Sequence, residues 1–88
     1  MKRLYSLEIS DQCRKDVKRL IKNNKTLEVA LEKAISKVLA NPEHFKPLRW
    51  PLENTRRVHV LGSFVLVYEI KGKAVRLLRF AHHDEAYR

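Results

Sequence analysis

Between Arg56 and Phe80 the chain has little room to do anything but fold back on itself twice. Three apolar-rich runs, Arg56–Leu61, Phe64–Ile70 and Ala74–Phe80, are separated by no more than Gly62-Ser63 and Lys71-Gly72 plus a residue. Turns that short join antiparallel neighbours, because a parallel pair needs a crossover of a dozen residues or more. The runs therefore predict an antiparallel meander with Phe64–Ile70, apolar at nearly every position, in its middle. With two-residue loops, Leu61 faces Phe64 and Ile70 faces Lys73. Strict alternation then places Arg57, His59, Leu66, Tyr68, Val75, Leu77 and Arg79 on one face, and Val58, Val60, Val65, Val67, Arg76, Leu78 and Phe80 on the other. The second set is richer in β-branched residues and is assigned to the core. The first leaves Arg57, His59 and Arg79 in a shallow basic cleft, with Phe64, Leu66, Val75 and Leu77 either flooring it or packing under a partner helix.

Upstream, residues 4 to 10 alternate like a strand, so the opening MKRLYSLEIS reads as part of the fold rather than as a signal segment. No stretch reads as a membrane span. Ser10 and Asp11 offer N-cap oxygens, and Cys13, Val17, Leu20 and Ile21 recur at helical spacing, predicting a helix over residues 11–23 that Asn23-Asn24 ends. Thr26 is read as the cap of a second helix over residues 27–40, with Leu27, Ala30, Leu31, Ala34, Ile35, Val38 and Leu39 as its stripe. Asn41-Pro42 stops it. The loop at residues 42–54 carries all three prolines, with His44, Phe45, Lys46, Arg49 and Trp50. Phe45 and Trp50 are read as plugs at the core's edge, and Lys46 and Arg49 as phosphate contacts. Eighty-eight residues suffice for one domain, 1–88, of the α+β class. Its order is β-α-α-β-β-β: a four-stranded antiparallel sheet with a two-helix hairpin packed on one face.

Charge narrows the partners. Nineteen Lys and Arg against ten Asp and Glu leave +9, a field that draws in polyanions. Nucleic acid ranks first, an acidic protein second and a membrane third. Cys13 is the single cysteine, so no internal disulfide can form, which fits a reducing cytoplasm. On its apolar stripe Cys13 reads as core.

The ending FAHHDEAYR packs ionisable groups just after the last strand. These groups suit RNA cleavage without a metal. A 2′-hydroxyl must lose a proton, the phosphate must gain charge stabilisation, and the 5′-oxygen must be protonated as it leaves. Histidine can do either proton job and arginine can hold the phosphate. A solvated tail would show the same residues, and spacing alone does not choose between the two. His59, His82, His83 and Asp84 lack metal-ligand spacing, so neither a metal nor another cofactor is expected. No nucleophile elbow supports a Ser–His–Asp hydrolase.

The run RRVHVLGSFVLVYEI followed by RLLRFAHHDEAYR, the basic segment HFKPLRWPLENTRRVHV and the element order together resemble the RelE/ParE superfamily of toxin–antitoxin modules. The likeness is nearest to its RelE/YafQ-like mRNA interferases. That resemblance implies a ribosome-dependent endonuclease that cuts mRNA in the A site, leaves a 2′,3′-cyclic phosphate, and is silenced by an acidic helical antitoxin. It matches His83 to the branch's catalytic C-terminal histidine, a general acid. Tyr87 matches a terminal catalytic aromatic, His59 the histidine of the first hairpin strand, and Arg57 a basic position. Lys46 stands where the branch has another histidine. Arg79 is a further candidate for stabilising charge, and Arg56 and His82 join Lys46, Arg49 and Arg57 as candidate RNA contacts. Two departures stand out: Ser63 replaces an acidic residue, and Val65 replaces an arginine that faces the phosphate. The same fold also implies two rivals, a ParE-like inhibitor of DNA gyrase and a catalytically silent binder of RNA, ribosome or antitoxin.

The charge predicts that binding to ribosomes or RNA weakens with salt. Each neutralised phosphate adds about −0.7 to −0.9 to the slope of log K against log salt, so four contacts give roughly −3. A flat response in a salt titration of binding would contradict it.

Overall fold

The computed structural model describes residues 5–45, 47 and 55–84. Strand β1 (Ser6–Ile9) leads into helix α1 (Asp11–Leu20) and helix α2 (Lys25–Ala40). After a 3-10 turn (Pro42–His44) come β2 (Thr55–Val60), β3 (Phe64–Lys71) and β4 (Ala74–His82). Trp50, read as a plug, lies outside the described residues, whereas Phe45 packs against the core.

Local chemistry sets the helix ends. The Ser10 hydroxyl oxygen accepts from the Cys13 N–H at 3.0 Å and starts α1, as expected. The helix closes at Leu20, short of residue 23. Asn23 takes a left-handed φ of 57°, which turns the chain and brings Asn24 into capping position. Asn24, not Thr26, is the cap of α2: its Oδ1 accepts from the Leu27 N–H at 3.1 Å, and Lys25 and Thr26 fall inside the first turn.

The sheet order is β1-β4-β3-β2. The two hairpins are antiparallel as expected, but β1 pairs with β4 in parallel, so the sheet is mixed rather than antiparallel throughout. Short turns fix only the relative directions of the last three strands. The direction of β1 depends on how often the chain reverses before β2. An antiparallel bridge between Pro47 and Arg56 shows it doubling back alongside β2 before entering it. That reversal leaves β2, and with it β4, running the same way as β1.

Two details of register reassign the faces. Val60 lies opposite Phe64, so the first hairpin has a three-residue loop, Leu61–Ser63, not a two-residue one. The second does close in two residues, but they are Gly72 and Lys73 rather than Lys71 and Gly72, so Lys71 lies opposite Ala74 and Ile70 opposite Val75 instead of Lys73. Further along, Tyr68 faces Leu77 while Val67 faces Arg79, which makes Leu78 the extra residue of a β-bulge. Leu77 and Phe80 therefore share a side despite their odd spacing.

Leu66, Tyr68, Val75 and Leu77 accordingly lie in the core rather than on the open face. With Val58, Val60 and Phe80 they join Cys13 of α1 and Leu27, Leu31, Ala34, Val38 and Leu39 of α2 in one cluster. Helix α1 lies against β4 and α2 against β2. Phe64 stacks on Phe80 at 5.7 Å. Val65, Val67 and Ala81 are also buried but fall outside this cluster. The register places them on the other face, with Arg57 and His59.

Gly62 holds a φ of +73°, and a Cβ built there would meet nothing within 4 Å. Its substitution is therefore a test of backbone strain alone. Gly62→Ala should destabilise the fold by about 1–2 kcal/mol in urea denaturation. An unchanged midpoint would show that the turn does not need the left-handed conformation.

Candidate active site

The face opposite the helices is built in rungs. Arg57 of β2, Val67 of β3 and Arg79 of β4 lie side by side in one rung. His59, Val65 and Ala81 form the next. Two charged residues thus flank a valine in the first rung, and a histidine stands beside a buried valine in the second. Continuing past Ala81 by strand alternation brings in His83, whose ring stacks on that of His59 with centroids 5.7 Å apart and planes 24° from parallel. The backbone holds His83 there, because its N–H donates to the Ser63 carbonyl at 2.7 Å across the first hairpin loop. Four residues named from sequence, Arg57, His59, Arg79 and His83, are therefore gathered at one end of one face.

The other candidates lie elsewhere. His82 alternates to the helix side, where its ring meets Phe64 edge-on at 5.6 Å. The Arg56 guanidinium donates to the Glu43 carbonyl at 3.2 Å and the Phe45 carbonyl at 2.7 Å, tying down the segment after α2. Nearby, the Tyr68 hydroxyl donates to the Pro42 carbonyl. Burial pushes that phenol up to about 12, with the Arg56 charge opposing. Lys46, Arg49 and Tyr87 lie outside the described residues.

Sequence reading passed over two features. A cleft of about 370 Å³ runs between α2 and the edge of β2, and Lys33 and Lys37 line it together with His59, Phe45 and Leu61. The only sequence sign of it was a pair of lysines one helical turn apart. The second is Asp16, 2% exposed on α1. Its Oδ2 accepts from the Arg79 Nε at 3.0 Å and from the Phe80 N–H at 3.1 Å, while its Oδ1 accepts from Gln12 at 2.9 Å. Burial acts to raise the pKa of this carboxyl, but the hydrogen bonds from Gln12, the Phe80 amide and Arg79, with the Arg79 charge, outweigh it and hold it below the usual aspartate value. An acidic residue among basic ones on an amphipathic helix reads as solvated, and nothing in the pattern signals its burial.

Cys13 is fully buried. Burial, helped by the nearby Asp16 carboxylate and opposed by Arg79, pushes its thiol up to about 11, so it is no nucleophile at neutral pH. Among the described residues, no group of three or more His, Cys, Asp or Glu is arranged to hold a metal ion, and no helix is long and apolar enough to cross a membrane.

Residues 7–87 match the family model for the ParE toxin of the type II toxin–antitoxin system parDE. The chain belongs to the RelE/ParE superfamily of type II toxins. A Methanocaldococcus jannaschii protein named "Putative toxin RelE4" is 37% identical over 87 residues, spanning 97% of this chain and 93% of that protein. Among solved structures, the E. coli DinJ–YafQ toxin–antitoxin complex superposes with a TM-score of 0.78 at 23% identity, covering 97% of this chain and 99% of its counterpart. The RelBE2 toxin–antitoxin complex of Mycobacterium tuberculosis superposes with a TM-score of 0.74 at 27% identity, covering 90% and 98%. This toxin thus shares its two helices and mixed sheet with RelE- and YafQ-type neighbours.

The depressed Asp16 carboxyl carries a pH dependence. Its pKa is lower folded than unfolded, so the stability it lends is complete above the unfolded value of about 3.9 and is lost as pH falls through the folded one. Asp16→Asn should lose less stability than the wild type as pH falls below about 4. Parallel acid curves for the two proteins would contradict this. At neutral pH, Asp16→Ala should cost about 1–3 kcal/mol, because it leaves the Phe80 N–H without its acceptor.

Proposed function

We propose that this toxin is a metal-independent endoribonuclease that cuts mRNA in the ribosomal A site and is silenced by an acidic helical antitoxin in the cytoplasm. The observation that carries this reading is the His59–His83 stack at 5.7 Å, next to the rung that holds Arg57 and Arg79. A proton acceptor, a proton donor and two cations at one end of a face are the parts that cleavage through a 2′-hydroxyl needs.

In the proposed step the 2′-oxygen attacks the adjacent phosphorus as His59 takes its proton. The bond from phosphorus to the 5′-oxygen breaks, and His83 donates a proton to that leaving oxygen. The products are a 2′,3′-cyclic phosphate and a 5′-hydroxyl, with one proton taken and one returned. Tyr87 is the other candidate for handling the 2′-hydroxyl. Arg57 and Arg79 stabilise the charge that builds on the phosphorane. Val65, at 0% exposure, could not hold a charge where it sits without a desolvation cost. The positive charge is supplied instead from the flanking strands. Lys46, Arg49, Arg56 and His82 remain candidates for holding RNA beyond the cleaved bond.

The antitoxin rests on two observations. The DinJ–YafQ and RelBE2 neighbours were solved as toxin–antitoxin complexes, and +9 on this chain suits an acidic partner. Inhibition of DNA gyrase is the second reading, favoured by the ParE name of the matching family model. It gives no task to a stacked histidine pair.

A positioned acid or base supplies ~10²–10⁴-fold. His83→Ala should therefore lower ribosome-dependent cleavage by about that factor while ribosome affinity survives. Arg57→Ala should reduce both, because it meets charge already present in the ground state. The two losses differ in kind, so cleavage rate and ribosome affinity measured on the same variants separate them, with gyrase supercoiling assayed alongside. His83→Ala cleaving like the wild type would place the general acid elsewhere. Loss of supercoiling without transcript cleavage would give the gyrase reading precedence.

A further inference from the structure

Among the described residues, Asp16 is the one charged residue buried in the interior. Burying a carboxylate is costly unless it is fully hydrogen-bonded. The bulge needs some acceptor at this point, since the Phe80 N–H must be met. A neutral group could do that work: the Ser10 hydroxyl already serves the Leu78 carbonyl at 2.9 Å. What the carboxylate adds is a charge-assisted hold on the Arg79 Nε at 3.0 Å.

Nε is the inner nitrogen of the guanidinium. Gripped there, the planar group is limited in how it can turn, and its two outer nitrogens, which Asp16 does not engage, keep donors to offer a ligand. The Arg79 side chain is 44% exposed, so a ligand can reach that edge. Arg57 and Arg79 bracket Val67 in one rung. Neighbouring strands are about 4.8 Å apart, so the two backbones stand roughly 10 Å from each other. Asp16 holds Arg79 at the outer edge of β4, so it falls to the long Arg57 side chain to reach across toward a phosphate that Arg79 holds.

We infer that Asp16 is a positioning residue for Arg79, presenting its guanidinium as a preformed fork to the phosphate under attack. Asp16 itself does not touch RNA. The inference rests on the RNA-cleaving reading above. Its substance is geometry, not charge, because a carboxylate beside Arg79 lowers the local positive charge while fixing where the donors lie.

The test separates those two quantities. Arg79→Lys keeps the charge and can still pair with Asp16, but it has no fork. It should stay close to the wild type in thermal stability and yet cleave about 10²–10³-fold more slowly, nearly as poorly as Arg79→Ala. Asp16→Ala should cleave about 10–10²-fold more slowly per folded molecule. Asp16→Asn, whose amide oxygen can still accept from Arg79 and Phe80 but without the charge assistance, should recover only part of that loss. In an Arg79→Ala background, Asp16→Ala should cause no further fall in rate. If Asp16→Ala does not fold, Arg79→Lys and Asp16→Asn decide. Arg79→Lys cleaving like the wild type, or Asp16→Ala slowing the Arg79→Ala variant by its full factor, overturns the inference while leaving the RNA-cleaving reading in place. A wild type that cleaves no RNA on ribosomes overturns both.

Discussion

Strand β1 ends at Ile9, opposite Leu77, but β4 continues to His82. Past Leu77 the outer edge of β4 has no strand beside it among the described residues, and its backbone groups would be left without ladder partners. The first residues of α1 close that edge. The Ser10 N–H donates to the Leu77 carbonyl at 2.9 Å, its hydroxyl donates to the Leu78 carbonyl, and Asp16 accepts from the Phe80 N–H. Ser10 is also the α1 cap, so one serine starts the helix and seals the sheet. The bulge at Leu78 is held between these contacts. By shifting β4 one residue against β3, it turns Phe80 into the core and leaves Arg79 beside Val67. The packing of the helix side and the placing of Arg79 on the other side thus depend on the same short stretch of edge.

That division explains how a chain with +9 keeps an apolar core and a charged open face. Apolar residues from both helices and all three hairpin strands collect on one side. On the other, Val65, Val67 and Ala81 are buried beneath or between polar neighbours. Small, stiff β-branched residues in the central strand give cationic and imidazole side chains from β2 and β4 a firm base. The exposed basic residues of α1, including Arg14, Lys15, Lys18 and Arg19, add to the field that would draw a polyanion in from solution.

Much of this was legible in the residues. The helical stripes, the Ser10 cap and the two hairpins follow from spacing and turn chemistry, and they place the elements within a few residues. Arg57, His59 and Arg79 were grouped correctly, but their companions were not. A glycine after Leu61 left open whether Leu61 belonged to the strand or to the turn. A one-residue error there exchanges the two faces of β3, which is why Leu66 and Tyr68 were expected on the open side. The bulge leaves no mark on composition, because Leu78 would suit an ordinary strand position. The direction of β1 is set by the doubling back at Pro47, a tertiary event with no local signature. Asp16 is polar in a polar helix, and only the closeness of the β4 edge gives it a role. The candidate histidines are a mixed case. His83 was singled out by resemblance, whereas its contact with His59 joins residues 24 positions apart and needed the fold to appear.

The proposed role of the histidine pair and the two flanking arginines is to cut RNA through its own 2′-hydroxyl. End-group analysis of RNA cleaved on ribosomes by the purified toxin is the decisive measurement. The arrangement predicts a 2′,3′-cyclic phosphate on the upstream fragment and a 5′-hydroxyl on the downstream one. Fragments ending in 5′-phosphate and 3′-hydroxyl would contradict it.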